Sequence, residues 1–268
     1  MQKNSAIGVF DSGMGGLTVA HAVKKLLPNE QLIYFGDSAH LPYGDKSAAT
    51  IQAYSVKICD VLLQQGCKVI LIACNSASAA AYDLVKAYVG SKALVLNVID
   101  PVVAYLARAY DKSRIGLIGT KQTVGSGVYH QKLKAAAPSS ALQALATPLL
   151  APMIEEGFHK NDISNQIIGE YLKQPDLINI EALILGCTHY PLIKNQVAAF
   201  FDDSVEVIDS SEIVAKALYD LLSENDLLGD GQPIHDRFLV SDFTPSFEAA
   251  AKLFFQKEVA LEKHVLWE

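Results

Sequence analysis

Short apolar runs alternate with amphipathic segments along most of this chain, and this alternation constrains the fold more than any other feature. The segment from Ser47 to Gln65 carries apolar residues at helical spacing after a serine suited to an N-cap, which predicts a helix. The runs that predict strands are "AIGVF", "QLIYF", "KVILIA", "ALVLNVI", "RIGLIG", "ALILG", "VEVID" and "RFLV". Strands separated by helices favour an α/β fold with mainly parallel sheets, covered by helices on both faces.

Two pairs of these runs resemble each other at nearly the same spacing. The segment "IGVFDSG" (7–13) is similar to "IGLIGTK" (115–121), and "VILIACNS" (69–76) is similar to "ALILGCTH" (182–189). We interpret this internal repeat as two related doubly wound α/β units, because chance similarity does not explain two matches at one spacing. Two such units facing each other would place two strand-end cysteines on opposite sides of one cleft.

The composition excludes several classes of function. The chain has 268 residues, half of them hydrophobic, so it can bury a core large enough for two domains. Its net charge of −7, without any cluster of Lys and Arg, argues against a nucleic-acid partner. The N-terminal segment "MQKNSAIGVFDSG" lacks the apolar stretch of a signal peptide, and the longest apolar runs are strand-sized. We therefore expect a cytoplasmic protein without a membrane partner.

A glycine-containing motif, "FDSGMGGLTV" (10–19), places Asp11 and Ser12 at a strand end before a predicted helix. Neither the dinucleotide-binding nor the P-loop glycine spacing is present, which argues against a nucleotide site. The glycines would let backbone N–H groups approach a small anion such as a carboxylate, although a tight turn also explains them. The segment "GDSAHLPYGDKS" (36–47) predicts a loop at the same end of the sheet, where ligand contacts are common.

The four cysteines are too few for a disulfide scaffold in a chain of this size. Cys59, within the predicted helix, and Cys67, just before a strand, are expected to be packing residues. Cys74 and Cys187 instead end their strands and precede predicted helix starts, where unpaired N–H groups and the helix dipole lower the pKa of a thiol. We expect these two cysteines to be functional.

Three chemistries fit this pair of cysteines. Cys187 and His189 form a C-x-H pair that a soft metal could use, but no C-x-x-C or H-x-x-x-H partner accompanies it. Cys187 could also be an acyl-transfer nucleophile with His189 as its base, which leaves Cys74 without a role. Two equivalent thiols suit a third task, in which one group removes a proton from one face of a carbon and the other returns a proton to the opposite face.

Five motifs make the chain resemble the glutamate racemases of the cofactor-independent aspartate/glutamate racemase superfamily. They are "FDSGMGG", "YFGDSAHLPYG", "ACNSASA", "GCTHYPL" and "VIDSS", and they occur in the expected order between residues 10 and 211. The resemblance implies interconversion of L- and D-glutamate that supplies D-glutamate for peptidoglycan, with no cofactor and no metal. The Thr-His-Tyr sequence after the second cysteine favours glutamate over aspartate. We also expect a homodimer.

The resemblance further implies roles for individual residues. Cys74 and Cys187 would be the two catalytic acid/bases, assisted by Asp11 on the Cys74 side and by His189 on the Cys187 side. Glu155, in "APMIEEG", would be a further catalytic carboxylate, with the adjacent Glu156 as the alternative. The residues that would bind substrate are Asp11, Ser12, Tyr43, Gly44, Asn75, Ser76, Thr188 and His189.

Two discontinuous domains are also implied by the resemblance. Residues 1–97 together with 209–268 would form the first α/β domain and carry Cys74, and residues 98–208 would form the second and carry Cys187. The two domains would be related by pseudo-symmetry, with the active site in the cleft between them. Some members have an N-terminal extension linked to activation by a cell-wall precursor. Because ten residues precede Asp11 here, we expect no such activation.

Overall fold

The structure is a computed structural model that describes residues 1–231, 235–243 and 245–267. The strands are β1 (Ile7–Asp11), β2 (Leu32–Gly36), β3 (Val69–Ile72), β4 (Leu94–Asn97), β5 (Arg114–Gly119), β6 (Ala141–Ala146), β7 (Ala182–Gly186), β8 (Glu206–Ile208), β9 (Arg237–Val240) and β10 (Leu261–Lys263). The helices are α1 (Leu17–Leu26), α2 (Ala48–Gln64), α3 (Asn75–Val89), α4 (Ile99–Ala109), α5 (Lys121–Gly125), α6 (Val128–Ala136), α7 (Leu150–Glu155), α8 (Asp162–Leu172), α9 (Lys194–Phe200), α10 (Ser210–Glu224) and α11 (Pro245–Phe255).

The strands form two separate parallel sheets, which confirms the predicted α/β class. The first sheet has the order β10-β9-β2-β1-β3-β4 and the second has the order β6-β5-β7-β8. The central order β2-β1-β3-β4 is therefore matched by β6-β5-β7-β8. The two pairs of similar segments fall on β1 and β5, and on β3 and β7, so the internal repeat identified equivalent strands. The strands β6 and β10 were not predicted, because their runs are partly exposed and short of β-branched residues.

Both faces of the first sheet are covered, as the continuous apolar runs predict. Along β1, Ile7 and Val9 belong to one hydrophobic cluster, whereas Phe10 belongs to the cluster on the opposite face. Side chains alternate between faces along a strand, so a run that is apolar at every position must be buried on both sides. The predicted helix at 47–65 is α2, and its N-cap Ser47 accepts a hydrogen bond from the backbone N–H of Thr50 at 3.2 Å.

Cys59 and Cys67 are packing residues, as the sequence predicts. Cys59 lies on α2 and is fully buried, and Cys67 is 3% exposed just before β3. Burial raises the pKa of each thiol to about 12, so both stay neutral near neutral pH. None of the helices in the described ranges combines the length and apolar character needed to cross a membrane.

A buried ion pair ties four segments together at the amino ends of the first sheet. Lys68, immediately before β3, is fully buried, and its Nζ lies 2.6 Å from Oε2 of Glu30 and 2.8 Å from the carbonyl of Leu227. Lys68 also donates to the carbonyl of Lys3, and the other Glu30 oxygen accepts the backbone N–H of Gly229 at 2.7 Å. Every polar atom of the pair is therefore satisfied, which offsets the cost of burying two charges.

Replacing Lys68 with methionine should destabilise the protein by about 3–5 kcal/mol, because the Glu30 carboxylate would stay buried without its counter-charge. The measurement is the free energy of unfolding in urea. Lys173→Met is the matched control, since Lys173 pairs with Glu170 where both side chains are more than half exposed. Exposed pairs contribute less than about 1 kcal/mol. Equal losses in the two variants would show that the buried pair has no special role.

Candidate active site

Strand ends of both sheets meet around one cavity, whose empty space, including the part open to solvent, is about 460 Å³. Cys74 follows β3 and Cys187 follows β7, which are equivalent strands, and the two residues are only 5% and 7% exposed. Both thiols line this cavity. The other predicted site residues that line it are Ser12, Tyr43, Gly44, Asn75, Ser76, Glu155, Thr188 and His189. The structure thus brings together every predicted site residue except Asp11.

Asp11 lies behind the cavity wall and is fully buried. Its Oδ2 accepts the backbone N–H groups of Gly13 at 3.1 Å and Gly16 at 3.0 Å. The sequence predicted that N–H groups of this glycine motif would bind a small anion such as a carboxylate. That prediction is wrong for the N–H groups of Gly13 and Gly16. The carboxylate of Asp11 itself occupies the position, and it holds the turn between β1 and α1.

Cys74 is the N-cap of α3, and its sulfur accepts the backbone N–H of Ala77 at 3.5 Å. The thiol lies 3.8 Å from the hydroxyl of Ser12. Burial and, next, the negative charge of Asp11 raise the pKa of Cys74 well above its ordinary value, although the N–H of Ala77 and Ser12 oppose this rise. The prediction of a lowered pKa at Cys74 is therefore wrong, because loss of solvation outweighs the helix start.

Cys187 belongs to a chain of three polar side chains. Its sulfur is 3.5 Å from Nδ1 of His189, and Nε2 of His189 is 2.8 Å from Oε1 of Glu155. Burial lowers the pKa of His189, but the sulfur of Cys187 and the carboxylate of Glu155 together raise it well above its ordinary value. Glu155, rather than its neighbour Glu156, makes this contact. The predicted helix start beside Cys187 is wrong, because a short 3-10 turn follows and α9 begins only at Lys194.

The glycine motif brings the two halves of the site into contact. A Cβ on Gly15 would lie 2.5 Å from both Cε1 of His189 and Oγ1 of Thr188, so only glycine allows this approach. The hydroxyl of Thr18 donates to the carbonyl of Thr188 at 3.0 Å, which fixes the same contact. The close approach of the His189 and Thr188 side chains to the backbone of the glycine motif thus requires Gly15.

The loop between β2 and α2 is organised by Asp37, a fully buried carboxylate to which sequence reasoning gave no role. It accepts hydrogen bonds from the hydroxyls of Tyr43 at 2.6 Å and Ser241 at 2.7 Å, and it lies 2.7 Å from Nδ1 of His40. The hydroxyl of Tyr43 is thus engaged away from the cavity. Asp37 stands inside the quoted motif "YFGDSAHLPYG", but its three partners are visible only in the fold.

Thr120 is a cavity residue that the sequence analysis missed. It follows β5 of the second sheet, and its hydroxyl lies 2.9 Å from that of Ser76, which lies on the helix after β3 of the first sheet. A Cβ on Gly44 would lie 2.8 Å from Cβ of Thr120, so this contact also requires a glycine. The sequence did contain a signal for Thr120, because the internal repeat aligns this residue with Ser12, which is one of the predicted site residues.

No group of three or more His, Cys, Asp or Glu side chains within the described ranges is arranged to hold a metal ion.

The chain is similar to known proteins over almost its whole length. The family model described as Asp/Glu/Hydantoin racemase matches residues 16–218. A glutamate racemase of Chlorobaculum parvum is 37% identical over 256 residues, which are 95% of this chain and 94% of that protein. A crystal structure of glutamate racemase from Francisella tularensis in complex with D-glutamate has a TM-score of 0.93 and 40% identity, and covers 98% of each chain. The glutamate racemase of Thermus thermophilus in complex with β-chloro-D-alanine has a TM-score of 0.89 and 36% identity, and covers 99% of each chain. The resemblance drawn from the motifs is confirmed.

Alkylation of Cys74 by iodoacetamide should accelerate continuously from about pH 7 to about pH 10, because the thiolate reacts and its raised pKa keeps it scarce over this range. Asp11→Asn should increase the rate at a fixed pH by up to about 10-fold, since the negative charge that raises the pKa of Cys74 is removed. Mass spectrometry of the Cys74 peptide measures both rates. A plateau in the alkylation rate near pH ~8.5, the ordinary pKa of a cysteine thiol, would contradict a raised pKa at Cys74.

Proposed function

Since this chain belongs to the Asp/Glu/hydantoin racemase family, we propose that it interconverts L- and D-glutamate by a two-base mechanism without a cofactor. One observation carries the proposal. Cys74 and Cys187 follow equivalent strands of the two sheets and line the same cavity. A single thiol can deprotonate a carbon from one face only, whereas inversion also requires a proton donor on the other face.

The proposed reaction begins with one cysteine as thiolate and the other as thiol. The thiolate takes the Cα proton of the amino acid, and the electron pair of the C–H bond remains on a carbanion conjugated with the α-carboxylate. The opposite thiol then donates its proton to the other face of Cα. The product is the enantiomer, and the two cysteines have exchanged protonation states. Either cysteine starts the reaction, depending on the enantiomer bound.

The two cysteines have different polar neighbours. Cys74, whose pKa is raised by burial and by Asp11, is a neutral thiol ready to donate a proton. Cys187 faces His189, whose raised pKa favours a positively charged ring that stabilises a thiolate beside it. The resemblance to the glutamate racemases assigns Cys187 to proton removal from L-glutamate and Cys74 to proton removal from D-glutamate. Glu155 holds the charged imidazole in place.

Substrate binding is proposed for the polar groups around the thiols. The N–H2 group of Asn75 is buried and has no hydrogen-bond partner in the described ranges, so it is available to a carboxylate. The hydroxyls of Ser12, Ser76 and Thr188 line the same cavity, and so does Thr120. Donors fixed around a dry cavity stabilise developing negative charge more strongly than water does, which is the main requirement for removing a weakly acidic Cα proton.

We extend the proposal to the setting of the enzyme. Residues 1–97 with 209–268 are proposed as one domain and residues 98–208 as the other. The distribution of strands supports this, because the first sheet draws its strands from 7–97 and 237–263 and the second from 114–208. We also propose a cytoplasmic homodimer whose D-glutamate enters peptidoglycan synthesis. The resemblance of the five motifs supports these last statements.

Incubation of the purified protein with L-glutamate, in the presence of a metal chelator, should yield D-glutamate until the two enantiomers are equal. They have the same free energy in an achiral solvent, so the equilibrium constant is one. Circular dichroism follows the loss of the ellipticity of L-glutamate, and chiral chromatography quantifies the enantiomers. Loss of activity in the chelator would revive the metal-site hypothesis, and thioester turnover without inversion would favour acyl transfer by Cys187 and His189.

L-Aspartate is the matched control substrate in this assay. Its side chain is one methylene shorter, so its distal carboxylate or its Cα must be displaced from the position that glutamate adopts. A displacement of about 1 Å costs on the order of 100-fold in rate. Comparable turnover of the two amino acids would overturn the assignment of glutamate as substrate.

Replacing either catalytic cysteine with serine should abolish racemisation, because a serine hydroxyl is too basic to ionise near neutral pH. A substrate analogue that expels a leaving group after Cα deprotonation needs only one base. Cys74→Ser should therefore still process the L-analogue, and Cys187→Ser the D-analogue. Release of the leaving group measures both reactions. Retention of the same enantiomer by both variants, or normal racemisation by Cys74→Ser, would show that the two-base assignment is wrong.

A further inference from the structure

The amide of Asn75 has one satisfied end and one unsatisfied end. Asn75 is the first residue of α3, lines the cavity and is 2% exposed. Its Oδ1 accepts a hydrogen bond of 2.8 Å from the hydroxyl of Tyr129, whereas its Nδ2 has no partner in the described ranges. A buried N–H group without a partner is costly, so an unpaired donor beside a cavity indicates a group that a ligand satisfies.

Tyr129 reaches Asn75 from the side of the second sheet, whereas Asn75 follows a strand of the first sheet. It lies on α6, which belongs with the second sheet, and is 2% exposed. Burial and, next, the charge of Asp100 raise the pKa of Tyr129 well above its ordinary value, so the hydroxyl keeps its proton. Within the part of the chain that the structure describes, the only hydrogen-bond partner of this hydroxyl is Asn75.

The hydrogen bond fixes which end of the amide is left without a partner. In the observed orientation, the tyrosine O–H donates to Oδ1 and the two N–H bonds of Nδ2 remain free. If the amide were rotated by half a turn, Nδ2 would donate to the tyrosine oxygen, but the hydroxyl proton would lose its acceptor. The carbonyl and NH2 ends of an asparagine amide are similar in shape, so a hydrogen-bond partner such as the Tyr129 hydroxyl selects one orientation of the amide.

We propose that Tyr129 is a positioning residue that holds the Asn75 amide with its N–H2 group towards the α-carboxylate of the substrate. The proposal rests on the proposed function, in which Asn75 binds that carboxylate. In the rotated orientation, the carbonyl oxygen of Asn75 would face the carboxylate and repel it. Because Asn75 and Tyr129 come from different halves, the correct donor is presented only when the two halves are assembled around the cavity.

The test is a double-mutant cycle of Tyr129→Phe and Asn75→Ala. Tyr129→Phe should reduce kcat/KM for L-glutamate on the order of 10-fold, because the amide is no longer fixed and one favourable hydrogen bond to a charged group is lost in part. In the Asn75→Ala background, the same substitution should change kcat/KM less than about 2-fold, since residues that act through one another are not additive. A merely structural role of Tyr129 would produce the same loss in both backgrounds.

Tyr110→Phe is the matched control, because it also removes a hydrogen-bonded hydroxyl, in this case one donated to Glu206 away from the cavity. It should leave kcat/KM unchanged. Unchanged kcat/KM in Tyr129→Phe, or a 10-fold loss that persists in the Asn75→Ala background, would overturn the proposal.

A binding version of the cycle separates this proposal from the proposed function. In the Cys74→Ser background, where no racemisation is expected, calorimetry measures the Kd of D-glutamate for the same four combinations at Tyr129 and Asn75. The coupling between the two substitutions should appear in Kd as it does in kcat/KM. Failure of the parent protein to racemise glutamate would contradict the proposed function, whereas additive effects on Kd would contradict the role of Tyr129.

Discussion

The polarity of parallel strands is the constraint on which the rest of this structure depends. All carboxyl ends of a parallel sheet lie at one edge, so the residues after β1 and β3 meet at the edge of the first sheet, and those after β5 and β7 at the edge of the second. The two edges face one cavity. Residues more than a hundred positions apart in the chain, such as Cys74 and Cys187, therefore contribute to the same site from equivalent positions.

Equivalent positions do not have equivalent electrostatics. Cys74 is surrounded by the first sheet and by the negative charge of Asp11, both of which favour the neutral thiol. Cys187 instead adjoins His189, which carries a raised pKa and is held by Glu155. The strand ends that carry the two cysteines are therefore equivalent, whereas the polar groups beside the two thiols differ.

Contacts across the cavity make each half of the site depend on the other. The hydroxyls of Ser76 and Thr120 are 2.9 Å apart, and the hydroxyl of Tyr129 bonds the amide of Asn75 at 2.8 Å. On the opposite side, Gly15 approaches His189 so closely that a side chain there would collide with the imidazole. These hydrogen bonds also restrict the orientation of the polar side chains around the thiols.

The sequence by itself determined the class of fold and most of the residues that surround the cavity. Continuous apolar runs demand burial on both faces, and the repeated strand-cysteine pattern identified β3 and β7 as equivalent, because these signals depend only on local residue order. Tertiary structure alone decided the partners of buried charges. Neither the packing of Asp11 against its own glycine N–H groups nor the rise in the pKa of Cys74 follows from local order, since desolvation depends on everything that surrounds a group. For the same reason the distant partners of Asp37, Thr120 and Tyr129 were not visible in the sequence: Ser241, Ser76 and Asn75 lie far from them in the chain and close by only in the fold.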